Sequence, residues 1–150
     1  QKCTAIRRMI VPLDQIDALS QAIAAKLAKT QIGDPSLATT RMGALASAAQ
    51  KADVLAKIAT LGDEVTTIFG DAGSFTVDGA DKDKGAFLPP MLFYCADPDG
   101  AERVHDTEAF GPVSTVMGYR DLDAAFHRIH AQLFGSSSRR RRRDKGALCW

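Results

Sequence analysis

Cysteine is scarce in this chain. Of 150 residues only Cys3, Cys95 and Cys149 carry a thiol. The number is odd, the spacings are wide and no C-x-x-C pair occurs, which argues against a disulfide framework and against a structural zinc site. Reduced thiols point to a cytoplasmic setting. Histidine is equally sparse: His105, His127 and His130. His127 and His130 share a helix face but have no third ligand nearby, so no metal site is expected. Long apolar runs are missing; none approaches the roughly 20 residues of a membrane span. The start, Gln1-Lys2-Cys3, is not a basic segment leading into an apolar one, so no signal peptide is expected. It is also not Met, which reads as a piece of something longer.

What is present is ordinary globular material. Hydrophobic residues make up 45% and charged residues 25%, values that exclude a disordered or collagen-like class. The length suits about one domain. The net charge of +1 hides an asymmetry: five Arg, one Lys and one Asp give residues 139–150 a charge of +5, leaving −4 on residues 1–138. Residues 1–134 read as a folded body. Residues 135–150, with Ser136-Ser137-Ser138 followed by Arg139 to Arg143, read as a basic, unstructured tail.

Periodicity divides the body. Residues 6–12 form a short β-branched run stopped by Pro12, a strand pattern. Ile16, Leu19, Ala22, Ile23 and Leu27 recur at helical spacing, predicting an amphipathic helix over 13–29. Asp14 and Asp17 near its start and Lys26 and Lys29 near its end suit the helix dipole. A second helix is predicted over 47–61, with Val54, Leu55, Ile58 and Leu61 on one face and Gly62 as its stop. Strands are expected at 65–69, 91–95 and 113–119, a short helix at 101–106, and loops through the Gly- and Asp-rich stretch 70–85 around Phe75-Thr76-Val77. Asp121 can cap a last helix with Leu122, Ala125, Phe126, Ile129 and Leu133 on one face. Alternating strands and helices make the class α/β, a sheet flanked by helices.

Four ordered segments carry a resemblance. They are Gln1-Lys2-Cys3-Thr4-Ala5 with Arg8; Gly33-Asp34-Pro35 with Met42-Gly43-Ala44-Leu45; Gly85-Ala86-Phe87-Leu88-Pro89-Pro90-Met91-Leu92; and Glu108-Ala109-Phe110-Gly111-Pro112-Val113. In this order and spacing, over roughly residues 1–126, they resemble the aldehyde dehydrogenase superfamily. One departure is Ala44, where that pattern has proline. The wording of residues 1–12 and 104–123 is most similar to enzymes that oxidise a ring-opened, CoA-linked semialdehyde in phenylacetate degradation. The resemblance implies a partial catalytic domain, truncated at both ends. The glycine-rich dinucleotide-binding domain, the general-base glutamate and the asparagine that donates a second oxyanion bond would all lie elsewhere, so the fragment alone is expected to be inactive.

The resemblance also implies roles. Cys3 would be the catalytic nucleophile: its thiolate adds to the aldehyde, the oxyanion of the resulting thiohemiacetal is held by the Cys3 backbone N–H, and the thioester left after oxidation is hydrolysed to the acid. Such a cysteine needs a lowered pKa. Glu108 would accept hydrogen bonds from the nicotinamide ribose hydroxyls of NAD or NADP, a task suited to an acceptor-only carboxylate, and Phe110 would pack near the ring. The substrate partner is a small-molecule aldehyde, and full-length relatives homo-oligomerise. Bland readings stand beside these. Cys95 reads as core packing, and Arg7 and Arg8 read either as anion ligands or as ordinary solvated or ion-paired arginines. The alternative function is a catalytically dead fragment whose arginine run binds nucleic acid or an anionic surface.

Overall fold

The computed structural model describes residues 5–123, 125 and 126. The segment with Cys3, the greater part of the last predicted helix, His127, His130 and the basic tail lie outside the described residues. The chain separates into two units, residues 1–118 and 119–150.

The first unit is built on a four-stranded sheet: β1 (Arg8–Pro12), β2 (Thr66–Phe69), β3 (Met91–Cys95) and β4 (Val113–Tyr119), in the order β1-β4-β3-β2. β3 and β4 run parallel, Met91 opposite Val113 and Cys95 opposite Met117. β2 lies antiparallel to β3, with an irregularity between Thr67 and Phe69. The predicted strands at 91–95 and 113–119 are the observed ones. The strand predicted from residue 6 is assigned from Arg8, although its bonding reaches further back: Ser114 Oγ donates to the Ile6 carbonyl at 2.6 Å and Thr115 N to that of Arg7 at 2.9 Å.

Alternation along the strands feeds two apolar layers. Met91, Phe93 and Cys95 of β3, with Val113 and Met117 of β4, face α2 (Ala48–Leu61) through Val54 and Leu61, and Val104 of the short α3 (Arg103–Asp106). Leu92 and Val116 face the other way, against Ile16, Ile23 and Leu27 of α1 (Ile16–Leu27). The sheet thus carries helices on both faces, the α/β arrangement expected. Cys95 is fully buried in the first layer, where the sequence placed it as packing.

The helices follow their signals with small shifts. The 13–29 pattern resolves into a 3-10 turn, Leu13–Gln15, followed by α1. Its buried stripe runs through Ile16 and Ser20, whereas Ala22 is exposed. Leu19 is only half-buried, so a serine sits where the apolar pattern alone would not look. The Ser20 hydroxyl is buried without a hydrogen-bond partner among the described residues. In α2, Ser47 is the N-cap, its Oγ accepting from Gln50 N at 3.1 Å. The helix stops at Gly62, whose φ of 52° is a conformation other residues rarely adopt. No helix among the described residues is long and apolar enough to cross a membrane.

The Gly- and Asp-rich loops are pinned to one another. Gly33 N donates to Met42 O (3.1 Å), Asp34 N to Asp78 O (2.8 Å) and Leu45 N to Ala86 O (2.9 Å). Two of the four sequence motifs are therefore joined, and Phe87 and Leu88 of the second of them are buried. In the second unit, Ala125 N donates to the Asp121 carbonyl at 3.2 Å, one helical turn. Ala125 is buried, while Leu122 and Phe126 are exposed.

Candidate functional site

The segment 103–113 leaves α3, passes Glu108 and Phe110, and turns at Gly111-Pro112 into β4. Both of its ends are fixed. At the β4 end, Met91 N donates to Pro112 O at 2.8 Å, Gly111 N to Ala109 O at 2.8 Å, and Val113 N to Gly111 O at 2.8 Å. Gly111 lies so close to α2 that a Cβ there would meet the Val54 methyls at 2.9 and 3.0 Å. Only glycine permits that approach.

The other end is anchored on α3. Glu64, just after α2, places its carboxylate on the backbone of α3: Oε1 accepts from Glu102 N (3.1 Å), Arg103 N (3.1 Å) and Arg103 Nε (3.0 Å), and Oε2 from Val104 N (2.8 Å). Asp63 adds an ion pair to the same guanidinium. Burial pushes the Glu64 carboxyl up, but the N–H groups of Val104, Arg103 and Glu102 and the Arg103 guanidinium outweigh it and bring it down to about 2.

Arg7 and Arg8 hold this segment from the sheet side. Arg7 donates to the carbonyls of His105 (3.1 Å) and Thr107 (3.3 Å). Arg8 Nη1 donates to the His105 carbonyl at 3.0 Å and lies 3.1 Å from its Nδ1. His105 Nε2 lies 2.7 Å from the Pro98 carbonyl. A carbonyl only accepts, so the ring carries its proton on Nε2 and offers Nδ1 to Arg8. Burial above all, with the neighbouring Arg7 charge, lowers the Arg8 guanidinium to about 10 against the opposing influence of Asp106 and Glu108.

The sequence-derived candidates fall as follows. Glu108 is exposed, and no hydrogen bond among the described residues engages its carboxylate; Phe110 is half-buried two residues on. The two are together on the anchored segment. Cys3 lies outside the described residues, four residues before Arg7 in the chain. Arg7 and Arg8, read as anion ligands or solvated charges, instead bond backbone carbonyls. Glu64 had no signal, because a Gly-Asp-Glu stretch after a helix looks like any polar turn.

The aldehyde dehydrogenase family profile matches residues 1–139. The chain belongs to the aldehyde dehydrogenase family. It is 40% identical over 139 residues to the 3,4-dehydroadipyl-CoA semialdehyde dehydrogenase of Aromatoleum evansii, an alignment covering 91% of this chain and 27% of that protein. Among solved structures, an aldehyde dehydrogenase of Pseudomonas syringae in complex with NAD+ and octanal superimposes with a TM-score of 0.73 at 28% identity, covering 85% of this chain and 25% of the other. The succinic semialdehyde dehydrogenase of Streptococcus pyogenes, in complex with NADP+, gives 0.72 at 26% identity, covering 85% and 26%. This aldehyde dehydrogenase sequence thus spans about a quarter of the length of the relatives it matches.

Proposed function

We propose that this chain supplies the nucleophile and the nicotinamide-contacting segment of an NAD- or NADP-dependent aldehyde dehydrogenase, oxidising an aldehyde to an acid. Cys3 is the nucleophile, and Glu108 and Phe110 contact the cofactor. The substrate class is a CoA-linked semialdehyde of phenylacetate degradation, a reading supported by the 40% identity to a CoA-semialdehyde dehydrogenase.

One observation carries the reading: the arginines that follow Cys3 in the chain bond the segment bearing Glu108 and Phe110. The chemistry of those two residues fits the group they are assigned. An exposed carboxylate with no hydrogen bond among the described residues can accept both hydroxyls of a ribose. A half-buried phenyl ring two residues on in the chain offers a flat apolar wall. The cofactor, when bound, supplies the hydride acceptor. The chain's own part is to add the Cys3 sulfur to the aldehyde carbon, to hold the developing oxyanion on the Cys3 N–H, and to orient the reacting carbon.

The test is labelling by a thiol-reactive aldehyde analogue. Cys95 is fully buried, so its slowness is guaranteed and cannot serve as the reference. The informative reference is Cys3 in the urea-unfolded chain. Folded-state labelling of Cys3 at least tenfold faster, slowed by a CoA-linked competitor, is expected. Equal rates folded and unfolded overturn the nucleophile assignment, and indifference to the competitor overturns the substrate class.

A further inference from the structure

We propose that Arg7 and Arg8 are positioning residues that lock the segment bearing Glu108 and Phe110 to the start of β1. The proposal rests on the reading above for what the segment binds, but the clamp itself stands on geometry.

Two side-chain guanidinium groups converge on two backbone carbonyls, His105 and Thr107, immediately before Glu108. Sequence separations of 97 to 100 residues make these the long-range ties of the segment. Backbone acceptors do not rotate as a carboxylate would, so a fork of planar donors fixes the main chain itself. Both arginines and His105 are partly buried, where a charge-assisted bond is less screened than at the surface. No carboxylate lies within ion-pair distance of either guanidinium among the described residues. Beside them lies a small cavity lined by Arg7, Arg8, Leu61, Val104, Thr107 and Thr115 among others.

His105 completes the clamp. Its ring receives Arg8 on Nδ1 and donates from Nε2 to the Pro98 carbonyl, so it ties Arg8 to the turn preceding α3. With the Gly111 contact to Val54 at the other end, residues 108–110 are a three-residue span between two fixed points. Removing the Arg8 fork therefore frees the segment.

The test is amide hydrogen exchange on the full chain, with Arg8→Lys, Arg7→Lys and the pair His105→Asn and His105→Gln. Lysine keeps the charge but loses the fork. Asparagine keeps an acceptor near the Nδ1 position and loses the donor to Pro98; glutamine does the reverse. Exchange at the Thr107 and Gly111 amides, both hydrogen-bonded in the parent, should rise at least fivefold in Arg8→Lys, while the amides of α2 stay within a factor of two. His105→Asn should be milder than His105→Gln. Unchanged exchange at Thr107 and Gly111, or a rise shared equally by α2, overturns the proposal. The Cys3 labelling comparison separates the two readings: if the exchange responses to the substitutions hold but Cys3 labels equally fast in the folded and the urea-unfolded chain, the clamp stands and the nucleophile assignment falls.

Discussion

Glu64→Gln is the most informative single substitution for the fold, because one side chain secures the start of the whole 103–113 segment. The Glu64 side chain is 15% exposed and collects three backbone N–H groups and one guanidinium N–H. Its carboxyl falls from 4.5 to about 2, with burial opposing the bonds that lower it. Each pH unit of that gap is ~1.4 kcal/mol, so full expression would be about 3 kcal/mol. The partner Arg103 is 43% exposed, and solvent screening reduces the expected effect to about 1–2 kcal/mol. The sign follows from the direction. A carboxyl lowered in the folded state adds stability that is complete above its unfolded value near 4.5 and is lost as pH falls towards 2. Glutamine keeps the size and one acceptor but presents an NH2 where Oε1 or Oε2 now accepts. Urea unfolding of parent and variant at neutral pH should differ by about 1–2 kcal/mol, and the difference should shrink between pH 5 and pH 2. Equal stability at neutral pH, or a gap that does not change with pH, refutes the reasoning.

Other substitutions test separate parts of the structure. Ser20→Ala removes a buried hydroxyl that lacks a partner among the described residues, so urea unfolding should show stability unchanged or raised by up to about 1 kcal/mol. Gly111→Ala drives a methyl into Val54 and should cost about 1–3 kcal/mol, part of it recovered in a double mutant with Val54→Ala. Leu92→Ala, in a fully buried position of the central strand, should cost about 2–5 kcal/mol by the same assay.

The sequence makes local features legible and hides long-range ones. The strands at 91–95 and 113–119 were readable because each is apolar or β-branched and is preceded directly by proline. The α2 helix was readable from its apolar face and its Gly62 stop. The stripe of α1 was legible at Ile16, Ile23 and Leu27, but apolar patterning credits the exposed Ala22 and passes over the buried Ser20. The stretch around Phe75-Thr76-Val77 was read as loop and contains no strand; its neighbour Asp78 is bridged to Gly33. At the candidate site, motif spacing singled out Glu108 and Phe110. It could not say that Arg7 and Arg8 end on carbonyls about a hundred residues away, since a backbone acceptor leaves no mark in sequence. Glu64 was hidden likewise, because the backbone N–H donors it collects leave no mark in sequence either.

The central claim is that Cys3 is an activated nucleophile, and its titration tests that most directly. The rate of Cys3 alkylation by iodoacetamide, followed by mass spectrometry from pH 5 to pH 10, reports the thiolate fraction. The account predicts that folded Cys3 reaches half its maximal rate well below the roughly 8.5 of an ordinary cysteine, and that the urea-unfolded chain returns to that value. Superimposable folded and unfolded profiles would contradict it.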